Sequence, residues 1–174
     1  MMKLLLAILL LLASVAVSAE TRDAAAFFND TFGDFQEELE NAKEQGKKGI
    51  LIMFEMDECP FCHRMKRTVL NQAGVQDYFH ENFLVFSVDT EGDLEITDFQ
   101  GNVTKQKDFA LKQFRVRATP VFQFIDLEGN PVNGGRFTGA TGDAQEFLWL
   151  GEFVVDGHNE RTTFSRYKRE KRSS

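Results

Sequence analysis

The sequence is poor in the residues that cross-link small proteins. Two of its 174 residues are cysteines, so it can form one disulfide within the chain at most. Two cysteines also fall short of the four ligands that a structural zinc ion takes, and His80 and His158 lie far away in sequence. After residue 19 there is no apolar run of the roughly 20 residues that a membrane-spanning helix needs. Folding must therefore rely on a hydrophobic core, for which 18 phenylalanines supply large side chains.

The N-terminus has the three parts of an export signal. Lys3 supplies a positive charge, residues 4–12 form an apolar run, and Val17-Ser18-Ala19 has the small residues of a cleavage site. The sequence therefore predicts a signal peptide over residues 1–19 and a periplasmic mature protein that does not span the membrane. An uncleaved membrane anchor is the alternative, although the apolar segment is short for that role.

Charge is distributed unevenly along the chain. The formal net charge is −7, yet residues 157–174 hold six basic and two acidic side chains, which leaves −11 for the rest. An acidic body argues against nucleic acid as the main partner. The composition of residues 157–174 predicts a basic, disordered tail that follows a domain at residues 20–156.

Hydrophobic periodicity predicts an α/β domain. Apolar runs at 50–55 and 83–88 are read as buried strands, and the helical segments between them imply parallel pairing. A small hairpin is expected within 89–104, and a strand at 121–126 with an antiparallel return strand follows it. The side chains expected to face the core from three helices are Phe28, Phe32, Phe35, Leu39 and Ala42, then Phe109, Leu111 and Phe114, and finally Phe147, Leu148, Leu150, Phe153 and Val154.

The two cysteines stand close together in the motif Cys59-Pro60-Phe61-Cys62, just after the first predicted strand. Pro60 suits the first turn of a helix, because its fixed φ and missing N–H cost nothing there. Cys59 is then placed at a helix N-terminus, where unpaired N–H groups and the helix dipole favour a thiolate. Closing so short a loop contributes little stability, so a redox-active disulfide is favoured over a structural one.

The same motif permits another interpretation. With His63 it reads Cys-x-x-Cys-His, the attachment pattern of c-type haem, and such cytochromes are exported. A haem pocket, however, does not require a strand that leads into the motif, and it leaves the later Thr119-Pro120 dipeptide unexplained. The sequence therefore predicts no metal and no cofactor.

From Gly49 to about Val155 the chain resembles the thioredoxin superfamily. The residues that carry this resemblance are the motif at 59–62, Thr119-Pro120 before a strand, and Gly139 after the return strand. More narrowly, the phrase Met-Phe-Glu before the motif and the polar insertion near Phe99 are similar to the exported thioredoxins of bacterial Sox sulfur-oxidation systems. The resemblance implies a thioredoxin fold, in which helices flank a central mixed β-sheet, with an N-terminal helix and a small hairpin insertion.

The resemblance also implies a function and a set of site residues. Cys59 would be the exposed attacking thiol and Cys62 the resolving thiol, while Pro60, Phe61, Thr119 and Pro120 would contact the substrate. The Thr119–Pro120 bond would be cis and face the disulfide. The protein would then be a periplasmic thiol–disulfide oxidoreductase, a reductase rather than an oxidase, that acts on protein disulfides and depends on a membrane electron donor. A thioredoxin-like binding or chaperone module with a structural disulfide is the alternative.

Three positions depart from the common thioredoxin pattern. Glu58 stands where a tryptophan usually precedes the first cysteine, the spacer is Pro-Phe instead of Gly-Pro, and Met53 replaces a buried acid. Glu55 is a candidate proton acceptor for Cys62, and a partly exposed charge at the strand end is the competing interpretation.

Charges of both signs surround the motif. Asp57 and Glu58 oppose formation of a thiolate, and the basic residues that counter them are Arg64, Lys66 and Arg67. His63 is expected to be exposed on the first helical turn.

Overall fold

A computed structural model of the protein describes residues 20–173. The predicted signal peptide lies outside these residues. Helices are α1 (Phe35–Glu44), α2 (Pro60–Thr68), α3 (Ala73–Asn82), α4 (Ala144–Val155) and α5 (Phe164–Ser173). Strands are β1 (Gly49–Glu55), β2 (Phe83–Asp89), β3 (Glu95–Thr97), β4 (Val103–Lys105), β5 (Val121–Ile125) and β6 (Pro131–Thr138). A 3-10 turn at Ala24–Phe27 precedes α1, and a helical turn at Gln106–Asp108 continues into a π-helix at Phe109–Gln113.

The central sheet is mixed, with the strand order β2-β1-β5-β6. β1 pairs in parallel with β2, and β5 runs antiparallel to both β1 and β6. This confirms the predicted parallel pair, the antiparallel return strand and the fold class. Within residues 20–173, no helix is both long and apolar enough to cross a bilayer.

Helices cover both faces of the sheet, which is why the apolar run of β1 is continuous. Ile50, Ile52 and Phe54 pack into a cluster with α1 and the π-helix. The alternate residues Leu51 and Met53 pack into a second cluster with α2, α3 and α4. Because successive side chains of a strand point to opposite faces, a strand buried on both sides needs apolar residues at every position.

The predicted hairpin insertion is present as β3 and β4, which pair antiparallel. Asp98, 1% exposed, organises its turn by accepting hydrogen bonds from the backbone N–H groups of Gln100 and Asn102. Its carboxylate also accepts a hydrogen bond of 2.7 Å from Gln113 in the π-helix. Burial by itself raises the pKa of Asp98, but these hydrogen bonds favour the charged form and leave its pKa below the ordinary value. The carboxylate therefore ties the hairpin to the π-helix.

Two residues expected in the core are exposed, and the prediction for them is wrong. Phe32 is fully exposed, because Gly33 adopts a positive φ of 86° and α1 begins only at Phe35. Leu111 is 50% exposed. It lies in the π-helix, whose wider turn gives its side chain a different direction from the one that a 3.6-residue period predicts.

The predicted disordered tail is also wrong. Its last part forms α5, whose Tyr167 is buried and packs 5.4 Å from the ring of Phe153 in α4. Basic residues of α5 face acidic ones of α4, since Lys168 and Arg172 both pair with the buried Glu146, at 2.8 and 3.0 Å. Three of the six basic side chains that suggested a solvated end, those of Lys168, Lys171 and Arg172, instead pair with carboxylates of α4.

Candidate active site

The two cysteines lie at the connection between β1 and α2, as the sequence predicts. Their sulfur atoms are bonded to each other and their Cα atoms are 5.2 Å apart. Cys59 is the N-cap of α2, Pro60 is its first residue, and the Cys59 sulfur accepts a hydrogen bond of 3.1 Å from the Cys62 backbone N–H.

Two more loops lie at the same end of the sheet as the motif. Val121 pairs with Phe54 in antiparallel register, so Thr119–Pro120 lies beside the end of β1 from which the chain leaves for the motif. Val121 also pairs with Thr138, and the Gly139 N–H donates to the Pro120 carbonyl at 2.8 Å. The Thr119–Pro120 peptide bond is cis, and Pro120 is buried. Three segments that are distant in sequence thus meet at one end of the sheet.

The cysteines are less accessible than the resemblance implies. Cys59 is 2% exposed and Cys62 is 1% exposed, so the expectation of an exposed Cys59 is wrong for the disulfide form. Both residues belong to the apolar cluster on the α2 side of the sheet. The exposed surface of the motif is instead formed by Pro60 and by Phe61, which is 60% exposed.

Glu55 lies at the end of β1 with its side chain 15% exposed. Its carboxylate pairs with the ammonium of Lys66 at 2.6 Å and accepts a hydrogen bond from the Ser87 hydroxyl. These partners hold the carboxylate between the strand and α2. A role as proton acceptor for Cys62 stays a prediction.

Some of the charged side chains around the motif have hydrogen-bond or ion-pair partners. Asp57 and Glu58 are exposed, and His63, also exposed, places a ring nitrogen 2.8 Å from the Asp57 carbonyl oxygen. Lys66 is engaged with Glu55, as described above, whereas the Arg64 guanidinium donates to a neutral carbonyl and has no carboxylate partner within residues 20–173.

That carbonyl belongs to Thr141, a residue that the sequence does not single out. Arg64 donates to it at 2.7 Å, and the buried Thr141 hydroxyl lies 3.7 Å from the sulfur of Met65. The loop after β6 is therefore fastened to the helix that carries the cysteines. No local signal could reveal this contact, because Arg64 and Thr141 are 77 residues apart.

Solved structures of other proteins share this fold. Among solved structures, a thioredoxin-fold protein from Helicobacter pylori superposes with a TM-score of 0.64 at 20% identity, over 87% of this chain and 96% of that one. A thioredoxin from Thermus thermophilus gives 0.54 at 26% identity, over 71% and 86%. A proposed disulfide isomerase from Bacteroides thetaiotaomicron gives 0.57 at 24% identity, over 80% and 97%.

No protein of curated function matches the chain significantly. A family model described as a thioredoxin-like domain matches residues 35–154, which is more than half of the chain and includes the motif, the Thr119–Pro120 bond and Gly139. The chain therefore belongs to the thioredoxin-like domain family.

Proposed function

We propose that this protein is an exported thiol–disulfide oxidoreductase that exchanges electrons with protein disulfides through Cys59 and Cys62. The observation that carries the proposal is the disulfide at the N-terminus of α2, at the same end of the sheet as the cis Thr119–Pro120 bond. The similarity to a thioredoxin and to a proposed disulfide isomerase supports the same chemistry.

The exchange takes place in two steps. The Cys59 thiolate attacks one sulfur of the substrate disulfide, forms a mixed disulfide, and releases the other substrate sulfur as a thiolate that takes up a proton. Cys62, deprotonated, then attacks the Cys59 sulfur, closes the internal disulfide and releases the second substrate thiol. Two electrons and two protons pass to the substrate. The second step is fast because the helix holds Cys62 next to the mixed disulfide.

Thr119 and Pro120 are proposed to align the substrate. Pro120 has no N–H, so the backbone of Thr119 is left to pair with an extended substrate segment. The Thr119 hydroxyl is enclosed and has no hydrogen-bond partner within residues 20–173, so the contact with the substrate falls to the Thr119 backbone. Pro60 and Phe61 supply exposed apolar surface at the motif itself.

The proposal predicts a lowered pKa for Cys59 in the reduced protein. The Cys62 N–H that faces the Cys59 sulfur, and the positive end of the α2 dipole, both stabilise a thiolate. We expect its pKa to lie at least about one unit below the ordinary value of about 8.5. Thiolate absorbance of the Cys62→Ala variant against pH measures it. A pKa of 8.5 or above, together with no acceleration of insulin reduction by dithiothreitol, would favour the binding-module alternative.

The direction of exchange is proposed to be reduction in the periplasm. Support for export comes from the signal-like residues 1–19, and support for reduction comes from the thioredoxin resemblance. Because the periplasm is kept oxidising, such a reductase needs an electron donor in the membrane. We expect a reduction potential closer to the roughly −270 mV of thioredoxin than to the roughly −120 mV of DsbA. Equilibration with glutathione buffers measures it, and a value near −120 mV would reverse the assigned direction.

A further inference from the structure

The C-terminal helix α5 gives an acidic protein one basic surface. Residues 161–172 contain six Lys and Arg side chains and one acidic side chain, whereas the whole chain has a formal net charge of −7. The segment stays positive even when the two α4 carboxylates that pair with it, those of Glu146 and Glu152, are counted. Attachment of α5 to α4 therefore uses only part of its positive charge.

The fold accounts for one side of α5 only. Tyr167 is buried against α4, and Lys168 pairs with an α4 carboxylate. Helical spacing places Arg166 and Arg169 on the opposite side, where the Arg166 side chain is 73% exposed and Arg169 is exposed as well. The ion pair of Arg166 with Glu170, at 3.2 Å, joins two exposed side chains and adds little stability. These two arginines are therefore not needed to hold the helix in place.

The C-terminal end of α5 lies near the cysteine helix. Arg172 pairs at 3.0 Å with Glu146 in the first turn of α4, and the Glu146 carboxylate faces the Gly142 N–H at 3.4 Å. The residue before Gly142 is Thr141, whose carbonyl accepts the hydrogen bond from Arg64 in α2. The basic helix therefore ends beside a loop that is fastened to the helix carrying the cysteines.

The outward side of α5 suits lipid phosphate groups better than a protein surface. Within residues 20–173, the exposed large apolar side chains all lie outside α5: Phe32, Phe61, Leu94, Val103 and Leu111. A stable protein interface is centred on a buried cluster that usually contains aromatic residues, and this side of α5 offers none. Attraction of basic side chains to an anionic membrane is electrostatic and needs no such cluster. The planar guanidinium of arginine also matches the geometry of phosphate oxygens.

We propose that α5 binds the surface of a membrane that contains anionic phospholipids, through Arg166 and Arg169, without entering the bilayer. The inference rests on the proposed export of the protein and goes beyond its proposed activity. Anionic lipids repel the acidic body, so α5 faces the membrane and the body points away from it. This orientation keeps the adjacent redox site close to the membrane that holds the proposed electron donor.

The test is sedimentation of the exported, processed protein with sucrose-loaded vesicles. One set of vesicles contains phosphatidylcholine alone, and the other contains phosphatidylcholine with about one quarter phosphatidylglycerol. At low salt we expect the partition coefficient to be at least about tenfold higher for the vesicles with phosphatidylglycerol. In about 1 M salt, where screening is strong, it should fall to the value for neutral vesicles. Equal sedimentation with both sets of vesicles at low salt would overturn the proposal.

Charge reversal at two positions separates the role of α5 from that of net charge. Arg166→Glu/Arg169→Glu should lower the partition coefficient for anionic vesicles at least about tenfold, because both residues face outward. The matched control, Lys43→Glu/Lys112→Glu, has the same net charge but carries the change on α1 and the π-helix, which cover the other face of the sheet. It should lower the coefficient less than about threefold. Circular dichroism checks that both variants are folded, and an equal loss in both would overturn the proposal.

Two further measurements separate this inference from the alternatives. Poly-L-glutamate is the soluble anionic probe, and binding to it without binding to anionic vesicles would overturn the membrane assignment in favour of an acidic protein. Insulin reduction by dithiothreitol reports the proposed function alone. A protein that accelerates this reduction but does not bind anionic vesicles would overturn the inference and keep the oxidoreductase. A protein that binds the vesicles without accelerating the reduction would keep the membrane surface and overturn the oxidoreductase.

Discussion

The Cys62→Ser variant is expected to stay covalently attached to its substrate, whereas Cys59→Ser should lose exchange down to the uncatalysed rate. The difference follows from the positions of the two residues. Cys59 is the N-cap of α2 and its sulfur receives the Cys62 N–H, so it is the sulfur that is stabilised as an attacking thiolate. Without the Cys62 sulfur the mixed disulfide has no neighbouring thiol to resolve it. Non-reducing electrophoresis and mass spectrometry of the trapped species would identify the partner.

The control for this experiment is the Cys59→Ser/Cys62→Ser double variant, which should trap nothing and reduce nothing. A Cys62→Ser protein that captures no partner, combined with an active Cys59→Ser protein, would show that the roles are exchanged. The Cys62→Ser protein cannot form the internal disulfide, so it should be reduced before use only to remove any thiol already bound to Cys59.

The strand, the motif and the helix of this site could be predicted because their signals are local. The run at 50–55 became β1 with one added residue, Gly49, and Pro60 marks the first position of α2. Periodicity gave the remaining strands and the hairpin insertion for the same reason. Each of these elements depends on residues that are neighbours in sequence.

The features that escaped prediction depend on contacts between distant residues. Leu111 follows the helical period, yet the π-helix turns it outward, and nothing in residues 105–114 marks that change. Thr141 matters through Arg64, which lies far away in the chain. Composition also predicted disorder for residues 157–174. That prediction failed because composition does not show that Lys168 and Arg172 pair with the carboxylate of Glu146 on another helix.

Removing the residues after Arg161 is expected to lower the free energy of unfolding by about 5 kcal/mol, a large share of the 5–15 kcal/mol of a typical domain. The deletion uncovers Phe153, which is fully buried and whose ring lies 5.6 Å from Phe164 and 5.4 Å from Tyr167. Truncation of a buried aromatic side chain alone costs about 3–5 kcal/mol. The deletion also removes Lys168 and Arg172, which pair with Glu146, and the Glu146 side chain is only 6% exposed. Urea unfolding of the full chain and the truncated form measures the difference.

Two point variants keep this prediction testable if the truncated chain does not fold. Tyr167→Ala should lower the free energy of unfolding by about 3 kcal/mol, because the residue is 6% exposed and packs on α4. Arg169→Ala, an exposed position on the same helix, should change it by less than about 0.5 kcal/mol. Equal stability of all four proteins would mean that residues 162–174 add nothing to the fold. A loss confined to the truncation and Tyr167→Ala would instead make α5 an integral part of the domain that supports the redox site.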